Sequence, residues 1–192
     1  MARTQAADYE EKRQTIVEEA ARLFAAQGFD GASVAELAEA CATSKSLIYH
    51  YYPSKEAILF DVMNGHMDDL LGAIEENAAG PAAEAFARFT RALLRRYAGA
   101  AARQKVLLYE IDRLPRAQRQ EIIDKERRLI AHAEGLIARA SRKPQDRARL
   151  RAAAMLYFGM LNWTHNWFKP SGALTRDELA DMAAETVLRS LA

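Results

Sequence analysis

Apolar residues recur along this chain at steps of three and four, the spacing that gathers them on one face of an α-helix. Ile16, Ala20, Leu23 and Phe24 form the first such stripe and predict a helix over 8–27. Gly28 stops it, and the apolar Phe29 just beyond fits a left-handed C-terminal cap whose next side chain folds back onto the helix. Asp30 and Gly31 make a turn. Ser33 and Glu36 then match a capping box, in which hydroxyl and carboxylate each satisfy a free backbone N–H of the other. The second helix is short, with Val34, Leu37, Ala38 and Cys41 on its inner face. After a bend through Ala42 and Thr43, Ser44 caps a third helix. Steps of about 100° divide that helix into two sides: Ser44, Leu47, Ile48, Tyr51 and Tyr52 on one, Lys45, Ser46, Tyr49 and His50 on the other. Pro53 ends it, since proline cannot donate to the helix ladder and restricts the residue before it.

Six longer helices follow. Ser54 caps a fourth, which runs to the break at Gly80 and Pro81; Phe86, Phe89, Leu93, Leu94 and Tyr97 mark a fifth; "KVLLYEI" marks a sixth. Pro115 opens a seventh that reaches Ser141. The stretch "RKPQD" separates off an eighth, over about 146–168, and "KPSG" a ninth, capped by Thr175 and Glu178. The whole reads as an all-α fold of about nine helices. One helix followed by two short ones across a tight turn is a helix-turn-helix pattern, here over 8–53, with a larger helical domain over 54–192.

Composition narrows the function classes. Half of the 192 residues are apolar, enough for a sizeable core. A single cysteine, Cys41, excludes an intramolecular disulfide and a cysteine-based zinc finger, and suits a reducing compartment. The opening "MARTQAADYEEKRQ" has no apolar run of a signal peptide, and no later stretch approaches the roughly 20 apolar residues of a membrane span, so a cytoplasmic protein is expected. His66, His132 and His165 lack any metal-binding spacing. With no GxSxG, P-loop, GxGxxG or HExxH motif either, no metal, cofactor or catalytic site is expected. The formal net charge is +1. Over 1–56 the cations Arg3, Lys12, Arg13, Arg22, Lys45 and Lys55 are outnumbered by Asp8, Glu10, Glu11, Glu18, Glu19, Asp30, Glu36, Glu39 and Glu56. Binding to nucleic acid therefore rests on where the cations sit, not on bulk charge.

The run "IVEEAARLFAAQGFDGASVAELAEACATSKSLIYHYYPSKEAIL" resembles the DNA-binding domain of the TetR family of transcriptional regulators, the aromatic run before "PSKEAIL" being its most distinctive part. One departure is Ala42, where the family often carries Gly. The later stretch "MLYFGMLNWTHNWFKPSGALTRDELADMAAETVL" is similar to the C-terminal region of a branch with members that respond to acyl-CoA thioesters. The resemblance implies a homodimeric repressor that binds a double-stranded, palindromic operator and is released by a small-molecule effector.

In that reading the third helix enters the major groove. Ser44, Lys45, Ser46, Tyr49 and His50 become DNA-contacting residues, with Ser33 and Lys55 flanking them on neighbouring helix starts. The family's effector pocket lies among the fourth to eighth helices, so Met63, Met67, Phe86, Phe89, Tyr97, Tyr109, Trp163 and Trp167 are candidate lining groups. Arg91, Arg95, Arg96, Lys105 and Arg113 are candidates to meet coenzyme A phosphates. The family pairs through its last two helices, where Leu156, Gly159, Leu161, Leu179, Met182, Ala183, Val187 and Leu191 would form the dimer interface. The same stripes also suit the core of a monomer. An alternative function is a helical lipid or acyl-CoA carrier without specific DNA binding, consistent with the acidic balance of 1–56.

Overall fold

The computed structural model describes residues 2–76, 80–141 and 143–191; residues 77–79 before the expected break and Arg142 in the expected linker lie outside the described residues. Nine α-helices are present among the described residues: α1 (Ala2–Gly31), α2 (Val34–Ala40), α3 (Lys45–Tyr51), α4 (Lys55–Glu76), α5 (Ala82–Gly99), α6 (Ala101–Tyr109), α7 (Arg116–Ala140), α8 (Arg147–Trp167) and α9 (Arg176–Arg189). A 3₁₀ turn, Ile111–Arg113, links α6 to α7. No described helix is long and apolar enough to cross a membrane. The chain forms two compact units, one of Met1–His66 with Ala102–Ile122 and one of Met67–Ala101 with Ile123–Ala192.

In the first unit, Ile16, Val17, Ala20, Phe24, Leu37, Ala38 and Ile48 are buried, so α1 supplies the apolar face on which the two short helices rest. Gly28 does not form the expected left-handed cap. Its φ of 77° and ψ of 163° fall in a region open essentially to glycine alone, and one further helical turn follows to Gly31. The first helix thus breaks at Gly28, as the sequence predicts, and the short turn beyond it continues across a kink. Phe29 nevertheless turns inward and meets the Phe24 ring at 5.4 Å.

Local hydrogen bonds build the turn between α2 and α3. Ser33 N–H donates to Glu36 Oε2 at 2.8 Å while Glu36 N–H donates to Ser33 Oγ at 3.2 Å, closing the capping box at the start of α2. At the other end Thr43 N–H donates to Ala38 C=O at 2.9 Å and Ala42 N–H to Glu39 C=O at 3.0 Å. That pair of bonds is the Schellman motif, and it forces Ala42 to a φ of 49°. Leu47 N–H then donates to Ser44 Oγ at 3.2 Å and starts α3 in a new direction.

The second unit buries Phe86, Phe89, Leu93 and Leu94 of α5 among Leu129, Ala133, Leu136 and Ile137 of α7, Tyr157 and Leu161 of α8, and Ala180, Ala184 and Val187 of α9. Tyr157 is fully buried yet satisfied. Thr90 Oγ1 donates to Phe86 C=O at 2.7 Å, which leaves the Tyr157 hydroxyl to donate to Thr90 Oγ1 at 2.9 Å. Arg91 grips Asp181 side-on, Nε to Oδ1 at 2.7 Å and Nη2 to Oδ2 at 2.6 Å, and Arg95 holds Asp177 in the same manner, fixing α9 along α5.

A left-handed alanine costs more than glycine in the same place. Replacing Ala42 by Gly is expected to stabilise the protein by about 0.5–1 kcal/mol, the relieved strain exceeding the added chain entropy of glycine. Urea unfolding of the two proteins checks this; an unchanged or lower midpoint would show that Ala42 is unstrained.

Candidate nucleic-acid interface

The exposed face of α3 is set by what its other face buries. Ile48 is wholly buried and Tyr52, just past the helix, is nearly so. Tyr52 ends the helix by donating its N–H to Ile48 C=O at 3.0 Å, and its hydroxyl donates to Asp61 Oδ2 of α4. One nitrogen of Arg13, Nη2, donates to both oxygens of the same carboxylate at 2.6 and 2.7 Å. The far end of α3 is thus tied to α1 and α4 through one carboxylate. Burial first, then the hydrogen bond to Asp61, pushes the Tyr52 phenol well above its ordinary pKa, so it stays neutral and keeps donating.

With Ile48 and Tyr52 turned inward, Lys45, Ser46, Tyr49 and His50 face solvent together. Tyr49 is 51% exposed, a large cost for a ring with no covering side chain. Ser33 and Ser44, at the starts of α2 and α3, are exposed as well, and each hydroxyl oxygen already accepts a backbone N–H. Their own O–H groups are left to donate to an external oxygen. Lys55, in the first turn of α4, lies with Nζ 4.3 Å from the centre of the Phe29 ring, a cation–π contact that orders a flexible side chain. This face therefore presents two ammonium groups, three hydroxyls of serine, a phenol and an imidazole, with no carboxylate on the outer side of α3. Such groups suit phosphate oxygens and base edges. Cys41 is half-buried, and burial followed by the nearby Glu19 raises its thiol pKa, which keeps it protonated and unreactive.

Among the expected pocket residues, Met63 is wholly buried in the first unit, while Met67, Phe86, Phe89 and Tyr97 are buried in the second. Close by in the second unit, the His132 ring meets Phe89 edge-on at 4.9 Å, and its buried Nε2 has no hydrogen-bond partner among the described residues. Burial, then Arg139, lowers its pKa and favours the neutral imidazole.

Four expected pocket residues lie elsewhere. Tyr109 is 55% exposed, and Arg113 sits at the surface bound to Asp30 at 2.7 Å. Trp163 and Trp167 are 61% and 51% exposed on the outer face of α8. Arg91 and Arg95 are taken by Asp181 and Asp177, and Arg96 by Glu76 and the Asp69 carbonyl, so none of the three is a spare phosphate ligand.

The tryptophans are outside because α8 carries two apolar stripes. Ala154, Tyr157, Phe158 and Leu161 point into the second unit. Leu156, Met160, Trp163 and Trp167, at steps of four, three and four, form a second stripe facing solvent, with Gly159 on the same exposed side. Met182 of α9 joins it, and an apolar groove of about 280 Å³ runs between the helices, lined by Met160, Trp163, Trp167, Leu179 and Met182. The expected interface residues divide accordingly: Leu156, Gly159 and Met182 are exposed and Leu179 partly so. Leu161, Ala183, Val187 and Leu191 are buried, although Leu161 and Ala183 also line this groove. Met160 and the two tryptophans were detectable only by following a second stripe on the same helix.

A family model described as "Bacterial regulatory proteins, tetR family" matches residues 16–62, and one described as "Tetracyclin repressor-like, C-terminal domain" matches 79–191. A TetR-family transcriptional regulator from Bordetella parapertussis is 36% identical, with a TM-score of 0.86 over 92% of this chain and 93% of that one. AibR, solved with isovaleryl coenzyme A and operator DNA, is 28% identical with a TM-score of 0.78 over 91% and 97%. The transcriptional repressor KstR2 of Rhodococcus jostii is 32% identical over 35% of this chain. The curated relatives are matched over only 20% to 33% of their own length.

The Tyr52 phenol gives a pH signature. Its folded pKa is raised, so its stabilising contribution is complete below the unfolded value of about 10 and is lost as pH rises beyond it. Tyr52→Phe is expected to cost about 1 kcal/mol at neutral pH and to flatten part of the alkaline loss of stability. Denaturant unfolding at pH 7 to 11 tests this; an unaltered alkaline slope in the variant would exclude Tyr52 as its source.

Proposed function

This chain belongs to the TetR family of bacterial transcriptional regulators, and we propose that it is a dimeric repressor that releases its operator on binding an acyl-CoA-type or similarly apolar small molecule. The observation that carries the DNA-binding part is the outer face of α3, where Lys45, Ser46, Tyr49 and His50 stand exposed and free of acidic neighbours on their own helix. In this net acidic stretch Lys12, Arg13 and Arg22 are paired with Asp8, Asp61 and Glu19, while Lys45 and Lys55 stand at this face. Lys45 and Lys55 neutralise phosphate, the serine hydroxyls fix register, and Tyr49 and His50 reach base edges or backbone.

One such helix gives a short half-site, and two-fold pairing sets two of them about one turn, roughly 34–36 Å, apart. The outward stripe of α8 with Met182 supplies the surface for that pairing. Exposed tryptophan and methionine side chains in water are costly singly and costlier as a row, and a second copy removes the cost.

The effector reading rests on the interior of the second unit. Phe86, Phe89 and Met67 offer an apolar wall, and the neutral His132 imidazole offers a hydrogen bond unused by the described residues, which suits a carbonyl at the head of an acyl chain. The similarity to AibR supports the acyl-CoA class. Release requires only that the ligand favour a conformation that fits DNA less well. α4 carries residues of both units, from Lys55 to His66 and from Met67 to Glu76, and is the element through which we route the change.

Selection of bound fragments from sheared genomic DNA is expected to enrich a two-fold symmetric site, which isovaleryl coenzyme A or a longer acyl-CoA then displaces. No enrichment at low salt, with acyl-CoA still bound, would favour the carrier function. Leu156→Glu, a change at an exposed position, is expected to leave the fold intact, convert the dimer to monomer by light scattering and weaken operator binding at least a hundredfold. A variant that stays dimeric would move the interface off this stripe.

A further inference from the structure

Tyr9 lies on α1, before the segment matched by the DNA-binding family model, and its ring is 43% exposed. It stacks on the Tyr51 ring with centroids 4.6 Å apart and planes 29° from parallel. Tyr51 in turn presents its face or edge at 89° to the His50 ring, 5.6 Å away. Three aromatic groups therefore form a chain from the first helix to the last turn of α3. Tyr51 is only partly buried and His50 is exposed, so neither is held by the core.

We propose that Tyr9 is a positioning residue for DNA recognition, acting through Tyr51 to fix the His50 imidazole on the outer face of α3. This rests on the reading of that face as the DNA-binding surface. An exposed histidine at the end of a seven-residue helix samples several rotamers, and a contact made by one of them is weakened by the population of the others. Contact with the Tyr51 ring removes part of that freedom. Tyr51 itself needs a brace, because the residues that anchor α3 in the core are Ile48 and Tyr52, on either side of it. Stacking by Tyr9 supplies the brace from a separate helix, with the offset geometry that aromatic pairs prefer. The effect is on orientation and not on charge: Tyr9 adds no cation to the surface, so its removal is expected to lower affinity without changing the number of phosphates neutralised.

The test is a double-mutant cycle on a duplex carrying the site recovered by genomic selection. Tyr9→Ala is expected to weaken binding about three- to tenfold with an unchanged melting temperature and an unchanged salt slope, while Tyr9→Phe, which keeps the ring, binds as the parent does. In a His50→Ala background, Tyr9→Ala is expected to add nothing. The proposal falls if Tyr9→Ala binds normally while His50→Ala is weakened, or if the two losses simply multiply. Normal binding by His50→Ala would instead remove His50 from the interface, and the role of Tyr9 with it. Failure of the parent protein to bind any duplex would overturn the underlying DNA-binding reading.

Discussion

A single carboxylate, Asp61, holds the first unit in its working shape. It accepts two hydrogen bonds from one nitrogen of Arg13 and a third from the Tyr52 hydroxyl, drawing together α1, the end of α3 and α4. Tyr52 can reach it only when Ile48, one turn earlier, is inside. Once those two are fixed, the helix has no rotational freedom left, and Lys45, Ser46, Tyr49 and His50 must face outward. The aromatic run at the end of α3 is thereby divided by direction: Tyr52 inward to Asp61, Tyr51 sideways to Tyr9, and Tyr49 and His50 to solvent. A charge-assisted network of this kind is strong when complete and costly when one member is removed, since the others stay desolvated.

The same logic of opposed faces governs the second unit. The inner stripe of α8 is buried, while the outer stripe of leucine, methionine and tryptophan stays exposed beside Leu179 and Met182 of α9. Two side-on arginine–aspartate pairs hold α9 against α5, so the outer surface of α8 and α9 is presented on a stiff base. These arginines are partly or largely exposed and add little stability individually, but their fork geometry fixes register between the helices.

Much of the first unit was legible in the sequence because its signals are local. The Ser33–Glu36 box, the Ser44 cap and the 100° division of α3 each depend on residues within one or two turns, and the backbone bonds are present where the spacing put them. Even the departure at Ala42 was visible, although only the structure shows that it occupies the left-handed position of a Schellman motif. What escaped was non-local or two-sided. The Arg13–Asp61 pair spans 48 positions and Arg91–Asp181 spans 90, distances over which charge patterning in sequence carries no pairing information. Trp163 and Trp167 follow a helical period that fits an inner or an outer face equally well, and Leu161, between the two stripes, belongs to the other face. Gly28 signalled a break correctly, but its extended ψ, with a further turn beyond it, lay outside what a helix-cap pattern contains.

The central claim is that a unit with few cations binds duplex DNA through lysines and hydroxyls gathered on one short helix and its neighbours. Its most direct measurement is affinity for a selected duplex as a function of salt concentration, with the stoichiometry determined in the same titration. Two protomers, each bringing one or two lysines to phosphate, predict two chains per site and a log–log slope of about −2 to −4. Binding that is indifferent to salt, or a single chain per site, would contradict the account.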